Sequence, residues 1–247
     1  MSAADRALVI IPTYNEAENL PGALETVLAA AEVDVLVVDD ASPDGTGALA
    51  DTLAAADPRL HVLHRAGKEG LGTAYLAGFA WALERDYAWI VEMDADGSHP
   101  AERLPVMLAA ARAEPSPALV IGSRWIPGGS VVDWPWHREA LSRTANAYVR
   151  LVLRLGVRDA TAGYRVYAAE ILRRIDLGAV HARGYYFQVD MTIRTHDAGF
   201  VIREVPIAFR DRILGTSKMN GAIVLEAMLA VTGRALSRLV RRPGVSR

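Results

Sequence analysis

The chain has 247 residues, 51% of them hydrophobic, enough to bury a large core and too many for a disordered tail. Its 27 Lys and Arg nearly cancel 29 Asp and Glu, a formal net charge of −2, so no whole-molecule field draws it onto nucleic acid and a charged partner must be met locally. Cysteine is absent, which removes disulfides, thiolate metal sites and Cys nucleophiles, fits a reducing compartment, and leaves oxygen or imidazole to hold any metal.

After Met1 to Arg6 an apolar run over 7–11 is cut short by Pro12, well below the length of a signal-peptide core, so no export signal is expected. Apolar, β-branched runs at 8–11, 33–38, 60–63, 89–93 and 119–121 alternate with Ala/Leu-rich helical segments. This rhythm predicts βαβ units and a mostly parallel sheet. Val35, Leu36, Val37 and Val38 are consecutive rather than alternating apolar residues, as in a central strand covered on both faces. Beyond Ile121 the composition turns to Gly, Pro and Trp through Trp136, which predicts a long surface excursion of the kind that carries function. Helical patterns follow at 141–155 and 187–198, then a strand over 201–209, a polar loop over 210–220 and a last helix over 222–240. The expected division is one α/β domain over 1–220 and a C-terminal helix with a basic tail over 221–247. The greasiest stretch, 222–231, contains Glu226 and falls far short of the roughly 20 residues of a spanning helix.

Ligands of open α/β sheets bind beyond the carboxyl ends of the strands. The first strand runs into Pro12-Thr13-Tyr14-Asn15-Glu16, where Tyr14 and Glu16 are placed to meet a ligand with a ring and a hydrogen-bonding edge; a plain strand-to-helix turn fits equally well. The second ends in Asp39-Asp40-Ala41-Ser42-Pro43-Asp44-Gly45, where one carboxylate is suited to a base N–H or a ribose hydroxyl, while Ser42 to Gly45 read as an ordinary turn. Gly67, Gly70 and Gly72 match no dinucleotide fingerprint or P-loop and read as a turn that lets a helix over 73–84 approach the sheet.

Met93-Asp94-Ala95-Asp96-Gly97-Ser98-His99-Pro100 is the sharpest signal. Carboxylates at i and i+2 on extended backbone share one face, and small Ala95 lets a ligand lie close to the main chain. At about 4 Å two such charges repel by roughly 1 kcal/mol in water and several-fold more when partly buried. A hard cation offsets that, so Asp94, Asp96 and Ser98 are candidate ligands of Mg²⁺ or Mn²⁺ bridging a diphosphate; solvated turn aspartates are the alternative. Glu92 shares that face and is expected to partner an arginine. Arg124, Arg138, Arg165, Arg210, Arg212 and Lys218 fall at predicted strand ends and loops, where cationic forks suit phosphate oxygens.

In order, Pro12 to Glu16, Val38 to Thr46, Gly70 to Tyr75, Met93 to Asp96, Gly122-Ser123-Arg124, Trp134 to Arg138, Gly163-Tyr164-Arg165 and Phe209 to Lys218 resemble the inverting GT-A glycosyltransferases, more narrowly the dolichyl- or polyprenyl-phosphate mannose synthases, over nearly the whole chain. The resemblance implies a Rossmann-like three-layer α/β/α fold with a mostly parallel central sheet and C-terminal amphipathic helices. It implies that Pro12, Tyr14, Glu16, Val38 and Asp40 cradle guanosine, and that Asp94, Ala95, Asp96 and Ser98 surround a metal and diphosphate. It also implies donor contacts for Arg124, Arg212 and Lys218 and acceptor-phosphate contacts for Arg138 and Ser142. Ser98, Thr216 and Ala162 stand where relatives often carry Gln, Glu and Ser. The implied reaction is transfer of mannose from GDP-mannose to a polyprenyl phosphate with inversion, Asp96, Arg124, Arg138 and Arg212 carrying the chemistry. A polyprenyl-phosphate glucosyltransferase and a non-catalytic nucleotide-sugar-binding protein of the same fold are the alternatives.

Arg234, Arg238, Arg241 and Arg242 fall on one helical face beside Val231, Leu236, Leu239 and Val240. That pattern suits a helix resting on anionic headgroups, or one packing its apolar side on the domain. The expected location is cytoplasmic, peripheral on the membrane, directly or through a membrane-embedded partner.

Overall fold

The computed structural model describes residues 5–180, 184, 186–211 and 228–235. Arg212, Thr216, Lys218 and the basic positions 238, 241 and 242, together with most of the 221–247 tail, lie outside the described residues.

The strands are β1 (Ala7–Thr13), β2 (Asp34–Asp39), β3 (Leu60–His64), β4 (Trp89–Glu92), β5 (Leu119–Ser123), β6 (Ser130–Val132), β7 (Arg165–Ala168), β8 (Ile202–Pro206) and β9 (Ala208–Arg210). The α-helices are α1 (Leu20–Ala30), α2 (Thr46–Ala56), α3 (Leu71–Leu83), α4 (Leu104–Arg112), α5 (Trp136–Leu153), α6 (Ala169–Arg174) and α7 (Tyr186–Asp197). A seven-stranded sheet has the order β3-β2-β1-β4-β7-β5-β8, and β6 pairs with β9 in a separate two-stranded ribbon. Within the large sheet β7 alone runs antiparallel to its neighbours, β4 and β5. The expected three-layer α/β arrangement is therefore present, with one reversed strand in its middle.

Alternate residues of the central strands feed opposite cores, which is why their apolar runs are unbroken. Leu8, Ile10, Leu36 and Val38 pack with Tyr75 and Phe79 of α3 and with Phe187 of α7. Val9, Ile11, Val35 and Val37 pack with Leu20 and Leu24 of α1 and with Leu104 and Met107 of α4. Helix α3 packs closely on β1 at Gly78, where a Cβ would lie 2.7 Å from the Ile10 side chain. A Cβ at Gly67 or Gly70 would meet nothing within 4 Å, and Gly70, at φ 106°, opens the helix.

Three expectations are corrected. The excursion after β5 ends at Pro135, an extended residue that caps α5 just before it begins at Trp136, so Arg138 sits in a first helical turn rather than in a loop. The predicted strand over 201–209 is two strands in different sheets. Arg165 opens β7, fully buried, instead of joining a phosphate-facing group.

Residues 228–235 are helical. Val231 is buried in the core, Thr232 Oγ1 lies 2.6 Å from the Tyr148 hydroxyl of α5, and Arg234 pairs with Asp197 at 3.8 Å. Among the described residues no helix is long and apolar enough to cross a membrane.

Candidate active site

Strand order reverses beside β1, where β2 and β3 lie to one side and β4 to the other, and the carboxyl ends of β1, β2 and β4 open into that crevice. The two aspartates after Val38 have separate tasks. Asp39 accepts hydrogen bonds from Thr13 Oγ1 at 3.0 Å and from the Ser42 amide and hydroxyl at 3.1 and 2.5 Å, so it ties β2 to β1 and to the following turn. Asp40 is 5% exposed and accepts from Arg65 at 2.6 Å. Burial raises its carboxyl above the usual range, and the Arg65 charge opposes that shift. Asp44 is a turn residue, accepting from the Thr46 amide and hydroxyl and from the Ala17 amide.

Pro12 and Tyr14 at the end of β1 stand next to this turn, since Pro12 pairs with Val38 and Thr13 with Asp39. The Glu16 carboxylate accepts from Asn19 Nδ2 at 2.8 Å and its carbonyl accepts the Asn19 and Leu20 amides, so it begins α1 while remaining at the crevice.

After β4 the chain turns through Asp94 to Pro100. Tyr75, fully buried on α3, donates its hydroxyl to Asp94 Oδ1 at 3.2 Å. His99 Nδ1 accepts the Asp94 amide at 3.0 Å, which leaves its proton on Nε2, 4.0 Å from Asp94 Oδ2. The His99 ring is itself clamped, stacked on Tyr164 at 5.2 Å and edge-on to Phe209 at 5.6 Å. Asp96 is 6% exposed and its Oδ1 accepts the Ser98 amide at 3.1 Å. The Ser98 hydroxyl is buried and, among the described residues, has no hydrogen-bond partner. Two carboxylates and an orphaned hydroxyl on a turn kept slim by Ala95 form an all-oxygen donor set, which fits a hard divalent cation. Among the described residues no group of three or more His, Cys, Asp or Glu is arranged to hold a metal ion by itself. Such an ion would therefore need water or ligand oxygens as well.

Glu92 lies across from Arg165 in the β4–β7 register, and both are fully buried. Burial pushes the Glu92 carboxyl up to about 8, against the pull of the Arg165 charge. Arg165 is spent on the fold, donating to the carbonyls of Ala160 and Ala162 at 2.7 Å and to Thr192 at 3.0 Å.

Arg124 follows β5 and forms a fork on fully buried Asp159, Nε and Nη2 donating at 2.8 and 2.7 Å while the Arg124 amide adds a third bond at 2.8 Å. The guanidinium edge bearing Nη1 lies outside this fork. Arg138 stacks on Trp134 at 3.9 Å and donates Nη1 to both Asp211 oxygens at 2.9 and 3.0 Å. An anionic group is thus already seated on the arginine expected to meet acceptor phosphate. Ser142, one turn further along α5, is 6% exposed.

The structure therefore gathers Pro12, Tyr14, Glu16, Val38, Asp40, Asp94, Ala95, Asp96 and Ser98 at the carboxyl ends of adjacent strands. Arg124 lies at the end of β5, and Arg138 and Ser142 on α5. Sequence reasoning missed Arg65, Lys68, Tyr75, His99 and Asp159, which hold or border these groups. Tyr75 and His99 fall inside the quoted motifs, but no spacing rule connects them to Asp94.

Residues 8–176 match the sequence model of Glycosyl transferase family 2. The chain is 56% identical over 245 residues to a polyprenol monophosphomannose synthase of Mycolicibacterium smegmatis, covering 98% of this chain and 92% of the relative. It is 58% identical over 228 residues to an undecaprenyl-phosphate mannosyltransferase of Micrococcus luteus, covering 92% and 93%. Among solved structures, glucosyl-3-phosphoglycerate synthase of Mycobacterium tuberculosis with UDP superposes with a TM-score of 0.67 at 19% identity, covering 94% of this chain and 81% of that one. A mannosyltransferase of Pyrobaculum calidifontis with GDP-Man and Mn²⁺ gives 0.56 at 18%, covering 97% and 76%. These distant structures share the fold.

Proposed function

The chain belongs to Glycosyl transferase family 2, and from that premise we propose that it transfers mannose from GDP-mannose to a polyprenyl monophosphate with inversion, releasing GDP and polyprenyl-phosphate β-mannose. The observation that carries this reading is the identity of 56% and 58%, over nearly the full chain, to two proteins named for mannosyl transfer to polyprenyl carriers. The guanine donor is supported by the carboxylate of Asp40 at the end of β2, whose amide donates to the Thr13 carbonyl next to Tyr14 at 3.0 Å, since guanine offers paired N–H donors to an acidic group.

In this reading Tyr14 and Asp40 bind the base, and Asp94, Asp96 and Ser98 would hold Mg²⁺ or Mn²⁺. When bound, that ion offsets charge on the departing diphosphate. Tyr75 and His99 fix the orientation of Asp94. A phosphate monoester is largely ionised at neutral pH, its second pKa lying near 6, so the acceptor oxygen attacks the anomeric carbon without a protein base. Its repulsion from the donor diphosphate is the obstacle, and Arg138, Arg124 and Arg212 are the cations that offset it. The acceptor phosphate takes the place of Asp211 on Arg138.

Incubating the protein with GDP-mannose, GDP-glucose or UDP-glucose, Mg²⁺ and a polyprenyl phosphate, then identifying the lipid product, tests the proposal. Polyprenyl-phosphate mannose formed from GDP-mannose alone is expected. A glucosyl lipid, or nucleotide-sugar binding without any lipid product, refutes it. The basic C-terminal segment is proposed to contact the membrane that holds the acceptor: removing residues 233–247 lowers flotation with anionic liposomes, and unchanged flotation defeats that contact.

A further inference from the structure

The loop between β3 and α3 is fastened to the base end of the crevice at several points. The Arg65 amide donates to the Asp39 carbonyl at 2.8 Å, and its guanidinium bridges Asp40 and Glu69, each at 2.6 Å. Between these anchors Lys68 places its ammonium 3.7 Å from the centroid of the Tyr14 ring. Among the described residues no carboxylate lies within ion-pair distance of Lys68; the aromatic face holds it. An exposed contact of that kind is weak and readily exchanged for a better partner.

We propose that Lys68 is a specificity-determining residue for the donor purine, released from the face of Tyr14 as the base stacks there and moving to the O6 and N7 acceptors of guanine. The inference rests on the donor reading given above and adds a residue to it. Its chemistry follows from what each base presents. With its N1–H and N2–H donors turned to a carboxylate, guanine has O6 and N7 left as acceptors, the edge that lysine and arginine read. Uracil has no N7. Adenine would turn an acceptor, N1, toward the carboxylate and a donor, N6–H, toward the lysine. Arg65 is not available for this role in the same way, because its guanidinium is only 11% exposed and already bridges two carboxylates.

The test is calorimetric titration of the full chain, with Mg²⁺, by GDP, 7-deaza-GDP and UDP. The wild type is expected to bind GDP more tightly than either of the others. Lys68→Met should weaken GDP about tenfold, leave UDP unchanged and bring GDP and 7-deaza-GDP together, while Lys68→Arg keeps the GDP preference. Equal losses for all three nucleotides would make Lys68 a diphosphate contact and overturn the inference, as would full retention of GDP preference by Lys68→Met. A wild type that binds UDP as tightly as GDP overturns the donor assignment itself, and this inference with it.

Discussion

Replacing Asp159 with Ala removes the carboxylate on which Arg124 is built. Asp159 is fully buried and accepts from Nε, Nη2 and the amide of Arg124 at 2.7–2.8 Å, with Thr161 Oγ1 at 3.3 Å. The Arg124 side chain is 8% exposed, so after the substitution its charge stays buried without a counter-ion. Breaking a buried pair from one side costs about 3–5 kcal/mol. At a urea dependence near 3 kcal/mol per molar, a loss of about 4 kcal/mol lowers the unfolding midpoint by roughly 1.3 M. The rings of Trp125 and Trp134 lie 5.4 and 5.5 Å from the Arg124 guanidinium carbon, so tryptophan emission during a urea titration reports on this region directly. Replacing both partners, Arg124→Met with Asp159→Leu, should recover much of the stability while abolishing transfer, because no uncompensated charge remains. A midpoint shift below about 0.3 M for Asp159→Ala, or a double variant no more stable than the single one, refutes the reasoning.

Asp96→Ala is expected to reduce turnover on the order of a thousandfold and to weaken Mn²⁺ binding measured by electron paramagnetic resonance; normal activity with Mg²⁺ would sink the metal assignment. Arg138→Ala should raise the KM for polyprenyl phosphate about tenfold or more while GDP binding by calorimetry stays unchanged, since the lost contact is a charge-assisted one to the acceptor. Gly129→Ala should destabilise the chain by about 1–3 kcal/mol in a thermal melt, because backbone cannot yield as a flexible side chain does. A Cβ there would stand 2.5 Å from the Ser123 carbonyl and 2.8 Å from that of Arg124.

The parts of the fold legible in sequence are those where one physical rule dominates. Unbroken aliphatic runs marked β1 and β2 because both faces of the sheet are covered, and the polar residues just beyond them marked the crevice. Strand β7 escaped notice because it begins with a buried arginine, whose guanidinium is satisfied by the carbonyls of Ala160 and Ala162 that only the folded chain brings within reach. The start of α5 was hidden by composition: Trp134-Pro135-Trp136 looks like loop, yet Pro135 stands extended at the cap position and the helix begins at the next residue. In the site, local motifs revealed Asp94 and Asp96 but not the side chains that aim them. Arg124 and Asp159 are 35 residues apart, and no periodicity links them.

The reversed strand also sets an order of assembly. β4 and β5 are never directly paired; β7 joins them, and it is made only after α5 has been synthesised. A growing chain that has completed β1 to β4 therefore carries an open sheet edge at β4, a template for pairing with another chain, until residues 165–168 arrive to cover it. Closure of that edge requires contacts between distant parts of the chain, which makes it a slow step. Damage to the connecting stretch between β5 and β7 should consequently appear as aggregation during synthesis, even where the completed protein would be stable.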